Sequence, residues 1–417
     1  MKIALINLES PIHDRSKINK SLSPYINKMK DNFEIEEMRP ENYEKDIIKK
    51  YDLVIFFVKT GGTENQFKDI FHKVSGSVYL LSTSLFNSLP ASMEILSWVK
   101  AKNGNGKIIH GDVKEVISEI NRIGLIHMTR KKISNSKIGI IGKPSDWLIK
   151  SSEINFAVVK RNWGMDIKEI ELNEVKKEYN NIDEKKLEIT SNEFIENAKN
   201  IKNVDKNDIM KAIRIYYILK KIIKKYELVG LTLRCFDLVD ELNTTGCLAL
   251  SLLNNEGIIA ACEGDIPATF TMLLAYYLTD NLSFMVNPYA IDRRNNQVKF
   301  AHCTIPTDLT DKYNLNTQFE TNKGVGIHGF LSTKKVTVLI MGGDNLNHYM
   351  LKTGIMKKNL SDVHACRTQV LIDFDDLNID YFLTNPVGNH HIIIPGDHKE
   401  IIANFLSTID LNVIRHT

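Results

Sequence analysis

The chain has 417 residues, too many for one ordinary core, so two or three domains are expected. Hydrophobic residues make up 43% and charged residues 25%, the balance of a soluble globular protein, and Lys+Arg 54 against Asp+Glu 51 leaves a net charge of only +3. There is no long one-sign block and no apolar run near the roughly 20 residues that cross a bilayer, so neither a nucleic-acid partner nor a membrane is expected.

The opening MKIALINLESP lacks the long apolar core of a signal peptide and reads as a first strand, residues 2–8. YDLVIFFV at 51–58 is the next apolar run, ending in Lys59-Thr60-Gly61-Gly62-Thr63-Glu64, a loop of the kind whose backbone approaches a ligand. VYLLST at 78–83, a helix carrying Glu94 and GKIIHGD at 106–112 continue the alternation, which implies a parallel sheet covered on both faces. A first domain is placed at 1–130 and a polar link at 128–137.

KIGIIG at 137–142 opens a second α/β domain, 131–279, with Pro144-Ser145-Asp146-Trp147 after its first strand. The charged stretch 165–227 reads as helices around one weak strand, and its KKIIKK run as a solvated helix face. LVGLTLRCF at 228–236 is a buried strand, and Arg234 at its end reads as a structural ion pair or a ligand contact. The domain closes on Gly257–Ala268 (GIIAACEGDIPA): an apolar run, two carboxylates, and a helix with Pro267 in its first turn. In open parallel sheets ligands collect where strands end and helices begin. Glu263 and Asp265 therefore read either as catalytic or metal-binding acids, or as a turn residue and a helix cap.

From residue 280 short β-rich segments follow one another with few helices, which predicts an antiparallel sheet or small barrel over 280–417, closed by a last helix. His302, His390 and His391 lie at strand ends here, and with Glu263 and Asp265 they form the mixed oxygen and nitrogen set that suits Mn²⁺, Fe²⁺ or Zn²⁺. Each His is otherwise a lone polar residue at a sheet edge. Five cysteines without CxxC spacing favour reduced thiols in a cytoplasm. Alternation along a strand puts Cys262 and Cys303 in the core while Glu263 and His302 face the cleft. Gly324–Gly329 (GVGIHG) matches GxGxxG, but no helix pattern follows it, so a flexible loop near a ligand is expected, with His328 on it. Arg367 could hold an anionic or hydroxyl-rich ligand, and Trp147 could stack on a sugar or fill a core.

TGGTE, LPASME, PSDW, CEGD, FMVNP, AHCTIP, GVGIHG, CRTQV and GNHHIIIPGDH, taken in order, resemble the L-fucose isomerase-like proteins over nearly the whole chain. The resemblance implies two Rossmann-like parallel α/β domains followed by a β-rich, barrel-like C-terminal domain. It also implies a divalent metal, usually manganese, and trimers or hexamers with active sites between subunits. The family's metal-binding Glu matches Glu263 and its C-terminal His matches His390. Its Asp falls on Asn287, a neutral amide, so Asp265 or His302 would replace the missing ligand. The implied activity is aldose–ketose isomerisation through a cis-enediol, with Glu263 as ligand and base and Asp265 as partner acid or base. Asn287, Arg367, Glu94, Trp147 and His391 would face the sugar. Two rival readings are a non-catalytic sugar-binding protein on the same fold, which Asn287 motivates, and a Cys- or zinc-dependent hydrolase using Cys303 and His302.

Overall fold

The computed structural model describes residues 1–45, 49–375 and 379–408, and the chain divides into two compact units, 1–128 and 129–417. The first unit holds five parallel strands: β1 (Lys2–Leu8), β2 (Glu34–Met38), β3 (Leu53–Val58), β4 (Val78–Leu81) and β5 (Gly106–Ile109). Their order in the sheet is β2-β1-β3-β4-β5. Helices cover both faces, so every other residue of a strand enters a different core. Ile3 and Leu5 join Ile18, Leu22 and Ile120 on one side, while Ala4, Ile6 and Leu8 join Phe56, Phe67 and Ile95 on the other. The predicted helix carrying Glu94 is Ser88–Ala101.

The second unit begins with strands β6 (Lys137–Ile141) and β7 (Asp166–Ile170), and continues with β8 (Asn200–Lys202), β9 (Gly230–Leu233) and β10 (Ile259–Cys262). Four of these form a parallel sheet in the order β10-β9-β6-β7. Then come β11 (Phe284–Asp292), β12 (Gln297–His302), β13 (Lys312–Asn316), β14 (Gly326–Phe330), β15 (Lys335–Gly342), β16 (His348–Asn359), β17 (Thr368–Phe374) and β18 (His391–Pro395). Six of them close into an antiparallel barrel, β11-β12-β17-β16-β15-β18, and closure leaves no unpaired edge. The mixture of parallel α/β sheets and an antiparallel β-rich end is the class expected from the sequence.

The helix Ile266–Thr279 follows β10 and is apolar almost all round, so it is buried against both β10 and the barrel strands β15 and β18. It ties the end of the parallel sheet to the barrel wall. Two expectations fail locally. Gly326–Phe330 is a strand rather than a flexible loop: β14 pairs antiparallel with β13, and His328 stacks on Phe330 with ring centroids 4.5 Å apart. Within the charged stretch, β8 pairs parallel with β13 although all of its residues are exposed. A strand without a buried face carries no alternating pattern to read. No described helix is long and apolar enough to cross a membrane.

Candidate metal centre

Glu263 follows the last residue of β10 and holds a left-handed backbone, φ +64°, as does Gly264 at φ +71°. Two such residues in succession turn the chain sharply and lift the Glu263 carboxylate off the strand's alternation. Only glycine fits the second position, because a Cβ on Gly264 would lie 2.4 Å from the Lys143 carbonyl oxygen. The Glu263 carbonyl accepts from the Ser145 N–H at 2.9 Å, and the Gly264 N–H donates to Leu233 at 3.2 Å. The indole N–H of Trp147 donates to Glu263 Oε2 at 2.6 Å. Arg234 forms ion pairs with Asp146 and Asp237, the structural role weighed for it.

His302 is the last residue of β12, and His390 immediately precedes β18. Both are buried, at 4% and 2% exposure, against 8% for Glu263. His390 Nε2 lies 3.5 Å from Glu263 Oε1, and His302 Nε2 lies 3.8 Å from the same oxygen. One donor atom from each of the three residues falls within 4.8 Å of the others. The remaining ring nitrogens are engaged elsewhere: His390 Nδ1 with Asp265 Oδ2 at 2.8 Å, and His302 Nδ1 with Thr304 Oγ1 at 2.9 Å. Those partners fix each ring and leave Nε2 facing the Glu263 carboxylate. His390 Nε2 is buried without a close hydrogen bond, its nearest acid being Glu263 Oε1 at 3.5 Å, so it calls for either a proton attracted to that carboxylate or a cation between the two. Two imidazoles and a carboxylate, with one imidazole backed by a second carboxylate, suit a divalent transition metal.

Burial alone would raise the Glu263 pKa, but attraction to the His390 imidazolium, with His302 also close by, outweighs it and holds the carboxyl well below the usual range. Burial opposes charge on His390 too, yet Glu263 and Asp265 push its pKa up to about 10. For His302 burial dominates and lowers the pKa.

Asp265 does two jobs at once. Its Oδ1 accepts from the Ala268 N–H at 3.0 Å and so caps the helix, while Oδ2 holds His390. The capping reading of this residue therefore holds, and the same carboxylate also engages His390. Asn287 faces the cavity beside Glu263 and His302, and its Oδ1 accepts from Asn389 Nδ2 at 3.1 Å. Trp147 lines a second cavity of about 280 Å³, with Lys150, Asp265, Asn389 and His390. His391 points away, into an aromatic group with Phe300, Tyr381 and Phe382, and burial lowers its pKa to about 4. Arg367 is fixed by its Nε to the Thr317 carbonyl at 2.8 Å and lines neither cavity. Glu94 is exposed on its helix in the first unit.

Cys262 and Cys303 are buried at 2% exposure each, as expected, and also border the cavity that Glu263 and His302 line. The other three cysteines, 235, 247 and 366, reach it as well. Scattered along the sequence, they gave no sign of this convergence.

No family model matches the chain. Over 178 residues it is 26% identical to the sulfoquinovose isomerases of Priestia aryabhattai and Priestia megaterium, which is 42% of this chain and 39% of each relative. It is 28% identical over 92 residues to the sulfoquinovose isomerase of Clostridium sp. (strain MSTE9), 22% of this chain and 21% of that protein. The chain thus spans about two-fifths of the length of the first of these relatives.

Proposed function

We propose that the protein is a metal-dependent aldose–ketose isomerase acting on a sugar or sugar derivative. The observation that carries this reading is the convergence of Glu263, His302 and His390, one from the parallel sheet and two from barrel strand ends, on a single buried point. Glu263 Oε1 and the two Nε2 atoms would hold the cation, which the resemblance makes Mn²⁺. His302 replaces the ligand lost at Asn287.

A divalent cation held by these residues would supply Lewis-acid polarisation of the substrate carbonyl, which would acidify the hydrogen on C2 of the aldose. Glu263 removes that proton from C2 of the aldose and returns it to C1 through a cis-enediol, while the hydroxyl proton moves from O2 to O1. The low pKa of Glu263 keeps it ionised, the form that would ligate a cation. Asp265 is occupied at both oxygens, so we assign it to orienting His390 rather than to proton transfer. Trp147 restrains the Glu263 carboxylate from the side of the 280 Å³ cavity.

The resemblance further suggests a cytoplasmic trimer or hexamer with its sites at subunit boundaries. Trp147 at 52% exposure and Ile149 at 75%, both lining this cavity, are apolar surface that such a boundary would cover.

The test is metal analysis of the purified protein together with an aldose panel assayed with added Mn²⁺. Sulfoquinovose, named for the relatives, heads the panel. Bound divalent metal and a ketose product support the reading; absence of both removes it. One observation favours a second reading, a sugar-binding protein without turnover: the neutral Asn287 lines the cavity where the resemblance places an acid. Tight sugar binding with no product under any divalent metal would select it.

A further inference from the structure

The five cysteines lie between positions 235 and 366, yet all of them line the one cavity that Glu263 and His302 share, and none is in a disulfide. Two nearly touch. The Sγ atoms of Cys235 and Cys262 are 2.9 Å apart, and the two residues are 4% and 2% exposed. A disulfide bond is about 2.05 Å long, so closure needs a relative movement of about 1 Å. Sheet register brings the pair together: β9 and β10 are hydrogen-bonded neighbours with Cys262 opposite Leu233, and Cys235 follows two residues after Leu233. Nothing in the isomerase reading uses these thiols.

We propose that Cys235 and Cys262 form an oxidisable dithiol, a modification site whose co-reactant is a peroxide and whose closure displaces Glu263 from His302 and His390. One thiol sulfur attacks a peroxide oxygen: an S–O bond forms, the O–O bond breaks, and the departing hydroxide takes the thiol proton as water. The second sulfur attacks the resulting sulfenic acid: the S–S bond forms, the S–O bond breaks, and a second water leaves with the other thiol proton. Two thiols are oxidised by two electrons, and one peroxide is reduced to two waters.

The displacement follows from the absence of slack in the turn. Glu263 is the residue after Cys262 and already holds φ +64°. Its carbonyl is tied to Ser145, and Gly264 is packed against the Lys143 backbone. A pull on Cys262 therefore reaches the Glu263 carboxylate, and with it the Trp147 indole hydrogen-bonded there. The effect on a cation rests on the metal-centre reading; the cross-link and the movement of Glu263 do not.

The experiment treats the native protein with hydrogen peroxide, maps disulfide-linked peptides by mass spectrometry after alkylation, and measures Mn²⁺ binding by equilibrium dialysis. Tryptophan emission of the chelated protein is recorded in parallel, with a Trp147→Phe variant to isolate that residue. The expected result is a Cys235–Cys262 link, Mn²⁺ binding weaker by about tenfold or more, and a change in Trp147 emission. Dithiothreitol should reverse all three. Cys235→Ser and Cys235→Ala should each abolish them while leaving the Mn²⁺ affinity of the reduced protein unchanged. A different pairing, or a linked protein with the Mn²⁺ affinity and Trp147 emission of the reduced one, overturns the proposal. If the reduced protein binds no divalent cation, the metal reading fails on its own terms. The mass map and the Trp147 emission then still decide the dithiol.

Discussion

Asp265 holds His390 by a 2.8 Å hydrogen bond from Nδ1 and, with its other oxygen, caps the helix Ile266–Thr279. One carboxylate thus fixes both the direction of an imidazole and the start of the helix that joins sheet to barrel. The two functions separate by substitution. Asp265→Asn keeps an oxygen for the cap but removes the negative charge behind His390, and is expected to weaken metal binding by about 10- to 100-fold with little loss of stability. Asp265→Ala should add a capping loss of about 1 kcal/mol. Mn²⁺ titration and urea denaturation of the two variants, side by side, check this.

Glu263→Gln removes the charge shared by both imidazoles and the proposed base. Turnover is expected to fall by roughly 10²- to 10⁴-fold or more, with far-UV circular dichroism unchanged. Full activity in this variant would take Glu263 out of the mechanism.

The turn itself is testable through Gly264. A Cβ there meets the Lys143 carbonyl oxygen at 2.4 Å and must also adopt φ +71°. Gly264→Ala is expected to cost more than about 1 kcal/mol and to reduce metal binding as well, since Glu263 cannot keep its place. Chemical denaturation and equilibrium dialysis would show both effects together.

Stability of the metal-free protein should depend on pH through His390. Its folded pKa, about 10, lies above the ordinary histidine value of 6.5, so its contribution is complete below about pH 6.5 and is lost as pH rises toward 10. Glu263 acts in the opposite sense: its depressed pKa contributes above the ordinary carboxylate value and is lost only in strong acid. In chelator, the melting temperature is expected to decline between pH 6.5 and 10, and His390→Gln should flatten that decline. A thermal-melt series over this range decides it.

Much of this site is legible in the sequence because the strand–turn–helix at 257–268 announces itself locally: an apolar run, two acids, and a proline fit for a first helical turn. His302 and His390 stand out as polar residues at strand ends. What the sequence hides is spatial. The double engagement of Asp265 depends on a histidine far along the chain, and the meeting of five cysteines depends on segments that only the folded chain brings together. His391 looks equivalent to His390 in the sequence, yet as a strand neighbour it turns toward Phe300 and Tyr381 instead. Strand β8 escapes notice because nothing on it is buried.

The three donors sit on segments that the chain visits far apart: the turn after one parallel strand, the end of one barrel strand, and the residue ahead of another. A cation gripping all three would act as a clasp across wide loops of polypeptide, so part of its affinity would appear as resistance to unfolding. Stripping it away would then loosen the junction between sheet and barrel, and loss of metal would be felt first as fragility.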